Sequence, residues 1–201
     1  MSRQLHLNLF LMARGHHEGA WRHPGANPKA LTDLELYVDA ARIAENAKFD
    51  AVFLADTLVG PENSQLVASG LLEPITLLTA LALKTERIGL IGTASTTYSH
   101  PYTLARQFAT LDHISKGRAG WNIVTSWAPK AGENYGLAEN VDHADRYRIA
   151  QEFVEAVDAL WRSFPANSIV DDAASGQFLD IGQVRPAGYT GQHIRTRGPL
   201  N

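Results

Sequence analysis

Four short apolar runs, QLHLNLFLM (4–12), AVFLAD (51–56), IGLIGTAST (88–96) and KGRAGWNIVTS (116–126), alternate with segments whose apolar residues recur at helical spacing. This alternation constrains the fold more than any other feature. Strand followed by helix, four times over, implies right-handed βαβ units and a parallel sheet. The first run places Leu5, Leu7, Leu9 and Leu11 at period two, with His6, Asn8, Phe10 and Met12 on the other side, the pattern of a strand. The second and third are continuous apolar runs, as expected of strands buried on both faces. The fourth opens on the turn Lys116-Gly117-Arg118 and ends in Asn122, Thr125 and Ser126.

The intervening segments carry their own signals. Leu31, Leu34, Val38, Ala41, Ile43 and Ala44 predict a helix ending near Lys48, with Thr32 or Asp33 as N-cap. Pro74 suits the first turn of a helix running through Leu83. His100-Pro101 starts a third helix with Leu104, Phe108 and Leu111 on one face. A fourth, over residues 142–164, sets Ile149, Phe153, Val157, Leu160 and Trp161 at the 3.6-residue period. The loops 13–27, 57–73 and 128–140 are long and rich in turn formers, and loops of that length in compact domains are usually functional or disordered.

A doubly wound sheet and a (β/α)8 barrel both begin with this order. The first βα turn is long and lacks G-x-G-x-x-G, which argues against a dinucleotide-binding fold and favours the barrel. At 201 residues the chain falls short of the roughly 250 of a typical barrel, and it holds four βα units, a truncated barrel of the TIM type. From residue 166 the alternation breaks. NSIVDDAASGQFLDIGQV and GQHIRTRGPLN read as short polar-edged strands. The expected division is residues 1–165 as the N-terminal half of a barrel and residues 166–201 as the start of a β-ribbon insertion.

Charge and cysteine usage narrow the function classes. A net charge of −3 from interspersed charges leaves no electrostatic footprint for nucleic acid or an anionic membrane. No window reaches membrane-spanning length. The absence of cysteine removes disulfides, thiolate zinc sites and thiol nucleophiles, and suits a reducing cytoplasm, the expected location.

In either architecture ligands bind beyond the C-terminal ends of the strands. The groups there are His16 and His17, then Asp56, then Thr93, Ser95 and Thr96, and lastly Asn122, Thr125 and Ser126. Mostly neutral and rich in hydroxyls, they suit hydrogen bonding to a heteroaromatic or sugar-like ligand better than a hard metal ion. His143 and Tyr147, four apart at the start of the last helix, share a face at an end that favours phosphate, although an exposed, incidental pair is an equal reading. Asp56 alone reads more simply as a cap or an ion-pair partner, and Thr93 as local hydrogen bonding. His16, His17 and His23 lack the carboxylates or cysteines that would make a metal site specific, and none is expected.

Taken together, GHHEGAWR (15–22), AVFLAD (51–56), the block IGLIGTASTTYSHPYTLARQFATLDHISKGRAGWNIVTS (88–126) and DRYRIAQEFVE (145–155) closely resemble the bacterial-luciferase-like flavin monooxygenases, in the branch of the nitrilotriacetate and dibenzothiophene-sulfone enzymes. The resemblance implies a (β/α)8 barrel that uses reduced FMN, delivered by a separate flavin reductase, and O2 to oxygenate a small organic substrate. By matching position it implies flavin contacts for Asp56 and Thr93, a shared pocket wall for Asn122 and Ser126, and a reach toward the FMN ribityl-phosphate for His143 and Tyr147. His17 matches a pocket histidine near the isoalloxazine and is the candidate catalytic residue. Members of the family run to more than twice this length. A half barrel leaves two open parallel edges, so a homo-oligomer is expected, and a non-catalytic half-barrel serving oligomerisation or partner binding is the alternative. A deazaflavin-dependent oxidoreductase on the same barrel is a weaker third.

Overall fold

The computed structural model describes residues 4–17, 19–60, 72–128 and 130–201; residues 61–71 of the loop predicted over 57–73 lie outside them. In chain order the elements are β1 (Asn8–Phe10), α1 (Leu34–Asn46), β2 (Ala51–Leu54), α2 (Pro74–Ala82), β3 (Gly89–Ser95), α3 (Pro101–Ser115), β4 (Ala119–Val124) and α4 (His143–Arg162). Two antiparallel ribbons follow, β5 (Ile169–Asp172) with β6 (Gln177–Leu179) and β7 (Tyr189–Thr190) with β8 (Arg195–Thr196). Between the two ribbons the chain turns at residues 181–183, where the Asp180 carboxylate accepts Gly182 N–H at 3.0 Å.

The main sheet runs in the order β1-β2-β3-β4. β1 with β2 and β2 with β3 are parallel, in the register Leu9 to Val52 to Leu90. Leu90 N–H donates to Arg118 O at 2.8 Å and Thr96 N–H to Val124 O at 2.9 Å, the same offset six residues further on, so β4 is parallel as well. Every crossover therefore advances in one direction. A doubly wound sheet reverses strand order at its switch point, whereas barrel strands succeed one another without reversal.

The chain divides into two compact units, residues 1–94, 110–123 and 127–140, and residues 95–109, 124–126 and 141–201. In the first, one face of the sheet packs on helices: Leu11, Val52, Leu54 and Leu90 join Tyr37, Val38, Ala41, Leu78, Leu81 and Leu111 in a single core. Asp33 is the N-cap of α1, its carboxylate accepting from Glu35 N–H, and Glu73 caps α2 by accepting from Ile75 and Thr76 N–H. Beneath the sheet, Glu45 Oε1 accepts the amides of Glu86, Arg87 and Ile88, and the Arg118 guanidinium donates to Ser115 O, Thr85 Oγ1, Ile88 O, Ala82 O and Thr85 O.

Three expectations shift here. β1 spans three residues and not nine, because β2 begins opposite Asn8 and leaves Leu5 without a strand to pair with; Leu5 is 88% exposed. The Asp50 carboxylate accepts Leu7 N–H at 2.6 Å just before the strand starts. Ile43, placed on the apolar face of α1 by periodicity, is 69% exposed, and Glu45 is buried in its stead. Leu83 is the C-cap of α2 and lies outside the helix.

In the second unit, Leu104, Ala105, Phe108, Phe153, Ala156, Val157, Leu160 and Leu200 are buried. Trp161 keeps part of its ring exposed while its indole N–H donates to Ala105 O at 3.0 Å. Glu152 holds β7–β8 to α4 by accepting the amides of Gln192, His193 and Ile194 at 2.8–3.0 Å. Burial pushes its carboxyl up, but these amides outweigh that and hold it below the usual carboxylate range. A Cβ on Gly191 would stand 2.2 Å from Glu152 Oε2. Gly191→Ala is accordingly expected to expel the carboxylate and free the ribbon. Hydrogen exchange should show amides 192–194 losing protection while α1 amides keep theirs.

Candidate functional site

The C-terminal ends of β3 and β4 carry the first cluster. The ladder sets Leu90 beside Ala119 and hence Thr93 beside Asn122, on the face opposite Leu90 and its helical core. Asn122 Nδ2 donates to Thr93 Oγ1 at 2.9 Å, and Thr93 is 4% exposed. That bond uses one donor of the amide and one lone pair of the hydroxyl. Among the described residues Asn122 retains its carbonyl and a second N–H, and Thr93 retains its hydroxyl proton. Behind them Trp121 is anchored by its indole N–H to Ala94 O at 3.1 Å.

The second unit holds Ser126, His143 and Tyr147. Ser126 sits at φ +49°, a left-handed conformation that costs a side-chain-bearing residue about 1–2 kcal/mol and persists where its surroundings over-determine it. Three successive carbonyls supply that determination. Val124 O accepts from Thr96 Oγ1 at 3.2 Å, Thr125 O from Thr97 Oγ1 at 2.7 Å, and Ser126 O from the Arg146 guanidinium. Ser126 Oγ in turn donates to Ser95 Oγ at 2.9 Å. At the head of α4, Asp142 caps the helix by accepting from Ala144 N–H, and the rings of His143 and Tyr147 lie 5.0 Å apart, inclined by 49°.

Asp56 and His17 belong to the first unit. Asp56 lines a cavity of about 110 Å³ together with Arg14, Met12, Tyr37 and Leu77. Burial pushes its carboxyl up, the Thr57 amide partly opposes this, and the Glu73 carboxylate adds to it. His17 is exposed, and its Nδ1 accepts Gly19 N–H at 3.0 Å. Among the described residues no hydrogen bond joins either of them to the Thr93–Asn122 pair. No group of three or more His, Asp or Glu among those residues is placed to hold a metal ion.

Two arginines near these groups carry no distinguishing signal in the sequence. Arg146 lies inside DRYR, yet nothing in that motif says it would hold a carbonyl. Arg14 lies in the loop after β1, the region that carries site residues in this architecture, and its Nη2 donates to Pro28 O at 2.8 Å.

Residues 9–199 match the model of the luciferase-like monooxygenases. The chain is 43% identical over 99% of its length to N-acetyl-S-(2-succino)cysteine monooxygenase of Bacillus subtilis, covering 45% of that protein. It is 42% identical over its whole length to nitrilotriacetate monooxygenase component A of Aminobacter aminovorans, covering 47%. Among solved structures, a riboflavin lyase crystallised with modified FMN and riboflavin superposes with a TM-score of 0.87 at 35% identity, over 99% of this chain and 47% of that one. The chain thus spans about half the length of the relatives it matches. Its four parallel strands in unreversed order are the partial (β/α)8 barrel that this likeness requires, and the chain belongs to the luciferase-like monooxygenase family.

Proposed function

We propose that this chain is the N-terminal, flavin-binding half of an FMN-dependent two-component monooxygenase, which takes reduced FMN from a separate flavin reductase and uses O2 to oxygenate a small organic substrate. The observation that carries the reading is the Thr93–Asn122 pair: a buried hydroxyl and an amide, already bonded to each other, with neutral donors and an acceptor to spare. Such a set fits the hydrogen-bonding edge of a flavin and not a metal ion. The flavin supplies the oxygen chemistry when bound; the protein's part is to bind and orient it and keep water away. In this reading Asp56 and Thr93 contact the ring, Asn122 and Ser126 line its pocket, and His143 and Tyr147 take the ribityl-phosphate at the head of α4. His17 stands near the reacting end. Residues 166–201 begin an insertion between barrel strands. The protein works in the cytoplasm.

Titration of the 201-residue chain with FMN, followed by quenching of flavin fluorescence, tests this. Asn122→Leu is expected to weaken binding about fivefold to tenfold, the cost of about one hydrogen bond. No saturable FMN binding by the wild-type chain, or an Asn122→Leu variant that binds as tightly, would sink the flavin reading.

A second reading rests on the sheet edges. β1 and β4 each pair on one side only, so a homo-oligomer, or a non-catalytic half-barrel that binds a partner through these edges, follows from the same topology. Light scattering on the flavin-free chain separates the two: a stable oligomer that never takes up FMN favours the module.

A further inference from the structure

Within the second unit, one side chain ties the left-handed turn at Ser126 to the head of α4. Ser126 stands at φ +49°, where a residue with a side chain stays only if its neighbours hold it. The two carbonyls before its own are taken by the hydroxyls of Thr96 and Thr97, at 3.2 and 2.7 Å. The Ser126 carbonyl is taken by the Arg146 guanidinium, which comes from the first turn of α4, where Arg146 N–H donates to Asp142 O at 2.9 Å. His143 and Tyr147 stand on that same turn, three residues before Arg146 and one after it.

Arg146 differs in kind from Arg118, whose guanidinium serves five acceptors. Among the described residues the Arg146 side chain bonds Ser126 O alone, and its Nε is buried without a partner. A buried donor left unpaired is a cost, so this residue is a poor device for stability alone. What the bond secures is a conformation. With its backbone fixed, Ser126 aims its hydroxyl at Ser95 Oγ, 2.9 Å away, and Ser95 Oγ accepts the amides of Thr97 at 3.2 Å and Tyr98 at 3.3 Å.

We propose that Arg146 is a positioning residue of the flavin site. It fixes Ser126, a wall of the pocket, to the helix turn that carries His143 and Tyr147, and so holds the wall in register with the phosphate end. It acts through Ser126 and not on the phosphate. That the pocket takes a flavin rests on the flavin reading; that Arg146 fixes this turn does not.

Fluorescence titration of the 201-residue chain with FMN and with riboflavin, which lacks the phosphate, tests the role. Arg146→Met is expected to lower affinity for both flavins about fivefold. Ser126→Ala should lower both about threefold, and the double variant should bind no worse than Arg146→Met, since the two changes undo the same wall. Arg146→Lys should recover most of the loss, because one carbonyl needs one donor. A loss confined to FMN would make Arg146 a phosphate contact and overturn the proposal. Unchanged affinity for both flavins, or fully additive losses in the double variant, would overturn it as well.

Hydrogen exchange on the flavin-free chain supplies a readout that needs no ligand. In Arg146→Met the amides of Thr96, Thr97 and Tyr98 should exchange about tenfold faster, while those of Phe153 and Val157 in α4 keep their protection. Should that variant fail to fold, Arg146→Gln, whose amide stops two atoms short of the guanidinium's reach, carries the same test. Flavin binding by the wild-type chain with unchanged exchange in the variant overturns this inference alone. Faster exchange in a chain that binds no flavin overturns the flavin reading and leaves Arg146 as the clamp of the turn.

Discussion

Arg118→Met is expected to destabilise the first unit by about 3 kcal/mol or more, seen as a lower urea midpoint. The guanidinium donates five hydrogen bonds at 2.7–3.2 Å, four of them to the carbonyls of Ala82, Thr85, Ile88 and Ser115 and one to Thr85 Oγ1. It thereby closes the turn out of α2, the entry to β3 and the turn out of α3 with one side chain. Methionine fills the space of the stem but leaves those carbonyls without donors where water is largely excluded. Arg118→Lys should recover little, since one ammonium cannot reach in three directions from a planar fork. In a barrel this end of the strands serves stability while the opposite end serves ligands, so FMN affinity of the folded fraction should change far less than the midpoint does. A variant whose urea midpoint matched wild type would refute the role.

Glu45→Ala should cost a similar amount, about 3 kcal/mol, and Glu45→Gln about half of it, because a neutral oxygen can still accept but without charge assistance. The wild-type Oε1 accepts Glu86 N–H at 2.9 Å, Arg87 N–H at 2.6 Å and Ile88 N–H at 2.9 Å, and the residue is 9% exposed. Burial raises its pKa, but the three amides and the nearby Arg87 charge more than reverse that, and the folded value lies below the ordinary 4.5. The unfolded chain therefore binds the proton first as pH falls. The stabilisation is complete above about pH 4.5 and drains away as pH drops through the depressed folded value. Glu45→Gln removes this contribution, so the slope of stability against pH below 4.5 should flatten by up to ~1.4 kcal/mol per pH unit. Some acid sensitivity will persist. Asp50, held down by the Leu7 amide, and Asp172, held down by the Ser175 hydroxyl, remain on the same limb. An acid limb of unchanged steepness in the Gln variant would contradict the assignment.

What could be read from the residues alone divides along physical lines. Alternating apolar runs, the cap at Asp33, the proline at the start of α2 and the buried face Leu104, Phe108 and Leu111 are local signals, each contained within one element and its flanks. They hold because burial and capping act over a turn or two of chain. The apolar period misplaced Ile43 and gave β1 three times its length, since periodicity says which residues could share a face but not whether a neighbour is there to cover it.

For the candidate site the same boundary applies. From the residues alone, polar groups are expected beyond the ends of four parallel strands, because strand direction and the C-terminal location of sites follow from the order of elements. That Asn122 bonds Thr93, that three side chains hold the carbonyls around a left-handed Ser126, and that Arg14 Nε is buried without a partner among the described residues emerges from the packing of elements distant in the chain. Glu45 and Arg118 were invisible for the same reason. Most of their partners are backbone groups some thirty to forty residues away, and a backbone amide or carbonyl carries no mark of residue type for a sequence to display.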